Sequence, residues 1–207
     1  MTAARRRQGE RSAATRRALL DASRPLFAAH GFAGVSAEAI VRAAGVTRGA
    51  MYHHFADKTE LFAAVFEAVE REATERIDRA VAEADEQDPI RLMKFGASVW
   101  LDVSAEPAVQ RIAIVDAPSV LGHARWREIG LGYAMGLVLS LIEWAISAGR
   151  LPPQPPQPLA HVMLGALDEA VLFIAQAEDR VQARHDVGVV IDRLIDAQAA
   201  DLGGPDR

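Results

Sequence analysis

The chain has no cysteine, which excludes a disulfide framework and any thiolate metal site and agrees with a reducing cytoplasm without demanding it. Its N-terminus carries arginines but no apolar signal core. No uninterrupted apolar run approaches the length needed to span a bilayer, so a cytoplasmic protein without a membrane partner is expected. Sustained period-2 alternation is missing and Gly-Asn or Asp-Gly turns are few, which argues against strands and for an all-α fold. Catalytic signatures are missing as well. There is no Gly-x-Ser-x-Gly elbow, and Gly130, Gly132 and Gly136 miss the dinucleotide fingerprint by one residue in an apolar segment that no strand precedes. The six histidines include no i, i+4 pair for a metal. The neighbours His53 and His54, like Asp168 and Glu169, point about 100° apart on a helix. No catalytic residue, metal or cofactor is therefore expected.

The charge that is present is sorted along the chain. Residues 1–60 hold ten Lys and Arg against five Asp and Glu, and the remainder holds thirteen against twenty-three, so a +5 segment precedes a −10 segment within an overall −5. A DNA-binding part concentrates positive charge near phosphates even when the whole chain is acidic, so nucleic acid is expected at the N-terminal end. Arg5, Arg6, Arg7, Arg11, Arg16 and Arg17 lie before or at the start of the first expected helix. They read either as a solubilising tail or as an arm along the DNA backbone or in the minor groove.

The densest signal is the segment from Val35 to Leu61, VSAEAIVRAAGVTRGAMYHHFADKTEL. Ser36 is placed to cap a short helix whose Ile40, Ala43 and Ala44 share a face, and Gly45 supplies the left-handed stop. Val46 provides the hydrophobic contact after that stop. Thr47 then caps a second helix from about Arg48 to His54, giving the close spacing of a helix-turn-helix. Thr47 and the amides at the start of its helix, Gly49 among them, suit a phosphate. Arg48 is the long donor able to reach guanine O6 and N7, whereas Tyr52, His53, Lys58 and Ser36 suit phosphate contacts that fix register. Met51, Phe55 and Ile40 are expected in the core, with His54 favoured there too.

Ser36, Ile40, Ala44, Gly45, Val46, Thr47, Tyr52, His54, Phe55, Lys58 and Leu61 together resemble the N-terminal domain of the TetR family of bacterial transcriptional repressors. So many typed positions at fixed spacing are far more specific than a lone helix-turn-helix match. One departure is Val41, where the family usually carries Ala at the helix crossing. The resemblance implies dimerisation and a second domain that encloses a small-molecule effector.

Helical spacing predicts a first helix from about Thr15 to His30, with Leu19, Leu20, Ser23, Leu26 and Phe27 inward and Gly31 as its stop. A long helix follows from Lys58 to about Asp85, then helices over Asp88–Ser104, Pro107–Val115 and Arg125–Ala148. Residues 152–158, PPQPPQP, read as a stiff extended connector. Beyond it, residues 159–177 are apolar on almost every side, with Met163, Leu167, Ala170, Val171 and Ile174 on one face and Val162, Ala166 and Phe173 on others. The last helix, residues 187–200, adds Val187, Val190, Ile191, Leu194 and Ile195. Surplus apolar surface on two such helices predicts a four-helix bundle with a second copy. Trp100, Asp116, His123, Trp126, Tyr133 and Phe173 are candidate ligand-lining residues, because they combine apolar faces with polar handles.

The expected organisation is a flexible basic arm at 1–14, a three-helix helix-turn-helix domain at 15–57, a helical ligand-binding and dimerisation domain at 58–201, and a flexible tail at 202–207. The expected function is a ligand-released repressor that binds a palindromic operator as a homodimer. The competing readings are a ligand-independent DNA-binding protein and, further off, a helical ligand-binding or catalytic protein.

Overall fold

The computed structural model describes residues 3–199, and those residues form helices without a strand. The tail at 202–207 lies outside the described residues, as do the side chains of Arg5, Arg6 and Arg7. The helices are α1 (Ala3–His30), α2 (Ala37–Ala44), α3 (Arg48–His54), α4 (Lys58–Glu83), α5 (Pro89–Ser104), α6 (Pro107–Val109), α7 (Ala117–Leu121), α8 (His123–Ser147), α9 (Pro156–Gln176) and α10 (Arg180–Ala199). A π-helical stretch, Gln110–Asp116, joins α6 to α7.

Several helix starts differ from the sequence expectation. The first helix begins at Ala3 and takes in the expected arm, because that stretch is rich in Ala, Arg, Gln and Glu, which favour helix. Thr15 is interior to it, its hydroxyl donating back to Arg11 O at 3.0 Å. The expected helix over Pro107–Val115 is instead a short α-turn, a π-helical stretch in which Ala117 N–H reaches Ile112 O, and then α7. The connector is shorter than expected, since Pro156 and Pro158 lie in the first turn of α9, where the missing N–H has no intrahelical acceptor in any case. The last helix starts at Arg180 rather than Val187. Asp179 caps it through Gln182 N at 2.9 Å, a signal the apolar stripe does not carry.

The chain forms two compact units. One comprises the chain up to Val69 together with Pro107–Trp126, and the other comprises Glu70–Glu106 with the chain from Arg127 onward, so the units do not divide between residues 57 and 58. In the first unit, Leu19 and Phe27 of α1 are fully buried with Ile40, Met51, Leu61, Phe62 and Phe66. Phe62 stands edge-on to Phe27 at 5.1 Å and to Phe32 at 5.2 Å. The fully buried rings of Phe27 and Phe62 each contribute roughly 1.5–3 kcal/mol by burial. Ile112, Ala113 and Ala117 are also fully buried.

In the second unit, α5, α9 and α10 pack on one another. Leu101, Ala160, Met163, Leu167, Val171, Ile174, Ile191 and Ile195 are buried. Asp88 caps α5 through Ile90 N at 2.9 Å, with Pro89 in the first turn. Arg184 of α10 reaches Asp102 and Ser98 of α5, both at 2.8 Å, and Lys94 pairs with Asp196. By length and composition α8 and α9 would each suffice to cross a bilayer. Neither is an uninterrupted apolar run, since Glu143 breaks the first and Asp168 with Glu169 the second. Asp168 is ion-paired to Arg127, and one face of α9 is buried within the unit, as in a packed bundle.

Candidate nucleic-acid interface

Local chemistry builds the helix pair. Ser36 Oγ accepts from Ala39 N at 3.1 Å, and Thr47 Oγ1 accepts from Ala50 N at 3.1 Å. Each cap satisfies an amide that the following helix leaves without a carbonyl. Between them Gly45 adopts φ 66° and ψ 27°. Its N–H reaches Arg42 O at 3.3 Å while Val46 N reaches Val41 O at 3.0 Å, which closes α2 and turns the chain toward α3.

Ile40 and Met51 are fully buried and Phe55 nearly so, as expected. Ala43 does not join them. It is exposed, because the inward stripe of α2 follows Ala37, Ile40, Val41 and Ala44 at helical spacing and Ala43 falls to one side. With the inner faces fixed, Ser36, Thr47, Arg48, Gly49, Tyr52 and His53 are all exposed. A Cβ added at Gly49 would meet no atom closer than Thr47 Oγ1 at 3.9 Å, so nothing among the described residues requires glycine there. His54 is half-buried and edge-on to His53 at 5.3 Å rather than enclosed in the core.

Three of the expected contact residues, Arg48, Tyr52 and Lys58, have intramolecular partners that the sequence reading missed. Arg48 Nη1 donates to Glu38 Oε1 at 2.7 Å, its Nη2 lies 3.4 Å from Tyr52 Oη, and its guanidinium stands 5.5 Å from the Tyr52 ring centroid. These side chains are exposed, so the arrangement is readily exchanged for another partner. Lys58 is more firmly engaged. Its ammonium donates to Phe32 O at 2.9 Å and Val35 O at 2.8 Å and lies 4.0 Å from the Phe32 ring centroid. The ammonium expected on a phosphate thus ties the α1–α2 loop to the start of α4. Arg16 lies over the Phe55 ring at 5.3 Å, which places this arginine on the domain rather than in a tail. At the start of α4, Arg125 holds the carboxylate of Glu60 below the usual carboxylate range through hydrogen bonds of 2.5 and 2.9 Å.

The six candidate ligand-lining residues fall into two groups. Asp116, His123 and Trp126 belong to the first unit, and Trp100, Tyr133 and Phe173 to the second. His123 is exposed and edge-on to Trp126 at 5.5 Å, while Trp126 is buried with Nε1 donating to Ala113 O at 3.0 Å. Asp116 is buried and accepts from the Phe32 amide at 2.7 Å, so its carboxylate serves the fold. Trp100 and Tyr133 are half-buried, and Phe173 is largely exposed. The buried acid of the second unit is one the sequence reading passed over, Glu70 of α4. Its position in the stripe Phe66, Glu70, Ala73, Ile77 was a legible signal, a charged residue at a core register.

Comparison with known proteins agrees with this geometry. The sequence model of "Bacterial regulatory proteins, tetR family" matches residues 19–65, and that of "Tetracyclin repressor-like, C-terminal domain" matches residues 90–198, more than half of the chain. The transcriptional regulator CymR of Pseudomonas putida is 32% identical over 62% of this chain and 64% of its own length. The transcriptional repressor AcnR of Corynebacterium glutamicum is 36% identical over 56% of this chain and likewise 64% of its own length. The matches thus span a little under two thirds of these relatives. A crystal structure of a TetR-family regulator from Pectobacterium atrosepticum superposes with a TM-score of 0.80 at 30% identity, covering 96% of this chain and 98% of that one.

Proposed function

The chain belongs to the TetR family of bacterial transcriptional regulators, and from that premise we propose that it is a cytoplasmic repressor that binds a palindromic operator as a homodimer and is released by a small molecule. The observation that carries the DNA-binding part is α3, anchored by buried Met51 and presenting Arg48, Gly49, Tyr52 and His53 to solvent on the basic end of the chain. In this reading Arg48 exchanges Glu38 for a guanine edge, while Ser36, Thr47, Gly49, Tyr52 and His53 meet phosphates that set the register. Lys58 supports the site by holding the loop before α2.

Support for a homodimer comes from apolar side chains left exposed on α9 and α10. Val162 is 68% exposed, Phe173 58%, Val190 54% and Leu194 44%. A second copy laid against these helices completes a four-helix bundle and supplies the second recognition helix that a palindrome requires. Phe173 is better assigned to that surface than to a ligand. Trp100 and Tyr133 are the aromatic residues retained for the effector site. α4 runs unbroken from Lys58 to Glu83, and a ligand that favours one spacing of the recognition helices acts through it. Coupling energies of this kind are typically about 1–3 kcal/mol.

Selection of randomised duplex DNA with the purified protein at two salt concentrations tests the reading. A palindrome bound with affinity that falls steeply as salt rises is the expected outcome. Enrichment of a single half-site would remove the dimer, and no enrichment would remove the sequence-specific function.

A further inference from the structure

Residues 35–55 contain a single acid, Glu38. The next two acids along the chain serve the fold, Asp57 by capping α4 through Glu60 N at 2.9 Å and Glu60 by pairing with Arg125. Glu38 instead lies exposed on α2, and its Oε1 accepts from Arg48 Nη1 on α3 at 2.7 Å. Arg42 stands one turn further along α2, the usual place for a helical ion pair, yet this bond crosses the turn to α3. An exposed pair of this kind contributes little to folding, and an acid here opposes the approach of phosphates. Once Arg48 turns to a guanine edge, the Glu38 carboxylate is left beside that base without its cation. Two groups donate from base edges in the major groove, the cytosine N4 and adenine N6 amino groups. In a G·C pair the cytosine N4 group is hydrogen-bonded to guanine O6, so the two lie roughly 2.9 Å apart, close to the spacing of Arg48 Nη1 and Glu38 Oε1. Across the groove a G·C pair offers two acceptors and then a donor, guanine N7 and O6 and cytosine N4. A guanidinium beside a carboxylate offers two donors and then an acceptor. An A·T pair breaks that order, because its amino group lies between its two acceptors.

We propose that Glu38 is a second base-reading residue, accepting from the cytosine N4 amino group of the same G·C pair whose guanine Arg48 contacts. The assignment rests on the proposed operator binding and adds a specificity-determining residue on α2. Arg48 and Glu38 each trade one mutual hydrogen bond for a base edge, so neither charge is left bare. The acid also discriminates by repulsion. In an A·T pair it meets thymine O4, and in a reversed C·G pair guanine N7, both acceptors that a carboxylate repels.

The test uses the full chain and the duplex enriched by selection, with the G·C pair located as the one whose preference Arg48→Ala abolishes. Replacing its cytosine by N4-methylcytosine puts a methyl in place of the free amino hydrogen and leaves the guanine untouched. Replacing its guanine by 7-deazaguanine removes N7 and leaves the cytosine untouched. The wild type is expected to lose about tenfold in affinity on the methylated duplex. Glu38→Ala, already without the contact, should bind methylated and unmodified duplexes alike while keeping its loss on 7-deazaguanine. Glu38→Gln retains an acceptor oxygen and should keep part of the cytosine discrimination. Because Glu38 is exposed, neither variant should change the melting temperature, whereas a purely structural glutamate would move melting and ignore the methyl group. Equal wild-type affinity for both duplexes, or an equal loss in Glu38→Ala, would overturn the proposal. So would an Arg48→Ala protein that keeps every base preference, since no shared base pair then exists. Operator binding is scored separately. Selection that enriches no sequence removes that reading and leaves Glu38 no base to contact, whereas an enriched operator insensitive to N4-methylation keeps the reading and removes Glu38 alone.

Discussion

Asp116 accepts the backbone amide of Phe32 at 2.7 Å, across 84 residues of sequence. The bond ties the π-helical stretch to the loop that follows α1, and the same carboxylate holds Arg111 at 3.3 Å. Arg111 in turn lies over Gly31, whose φ of 68° and lack of Cβ leave room for the guanidinium.

Asp116→Ala therefore leaves a part-buried amide without an acceptor and Arg111 without its carboxylate. A loss of about 1–3 kcal/mol in denaturant unfolding is expected. Unchanged stability would mean that the amide finds another acceptor when the carboxylate is gone.

Arg48 donates to Glu38 at 2.7 Å. Both side chains are exposed, and such pairs contribute little to stability. Glu38→Gln should free Arg48 and remove a negative charge beside the phosphates, tightening binding to all duplexes by up to about fivefold at low salt. Arg48→Ala should instead flatten sequence preference while non-specific binding persists. Competition binding against operator and scrambled duplexes separates the two, and a preference retained by Arg48→Ala would move base reading to another side chain.

Lys58 and Tyr52 are expected to behave oppositely. Lys58→Ala strips a donor from Phe32 O and Val35 O and should lower stability by about 1–3 kcal/mol. Tyr52→Phe should leave melting unchanged, because the side chain is exposed and its hydroxyl meets only the exposed Arg48 at 3.4 Å, and weaken all DNA sequences alike. Thermal unfolding beside binding at fixed salt checks both. A Lys58→Ala protein of normal stability with weakened DNA binding would return Lys58 to the phosphates.

Burial and the charge of Asp168 raise Glu70 from an ordinary 4.5 to about 7, which gives its contribution to stability a definite sign. Between those values the folded state binds more protons than the unfolded state, so stability falls as pH rises through the window. The penalty is absent below about 4.5 and complete above about 7, reaching at most roughly 3 kcal/mol. Glu70→Gln should flatten the difference between pH 5 and pH 8 measured by chemical denaturation. An identical pH profile in wild type and variant would place the carboxyl in contact with water.

What the residues determine alone is local. Ser36, Gly45 and Thr47 act on backbone groups three or four positions away, and the stripes Leu19–Ser23–Phe27 and Met163–Leu167–Val171–Ile174 repeat at the helical period. The all-helical class, the helix pair and its inward residues are therefore legible without a structure. Helix starts were less legible where a polar stretch joined a helix, as at Ala3, and where prolines fitted a first turn, as at Pro156. The tertiary structure alone decided which polar side chain meets which partner. Asp116 finds Phe32, Arg125 finds Glu60 and Lys58 finds the Phe32 and Val35 carbonyls, over separations of 84, 65, and 26 and 23 residues. No periodicity encodes such pairings, because they exist only once packing brings distant segments together, and packing likewise decides that Glu70 is buried.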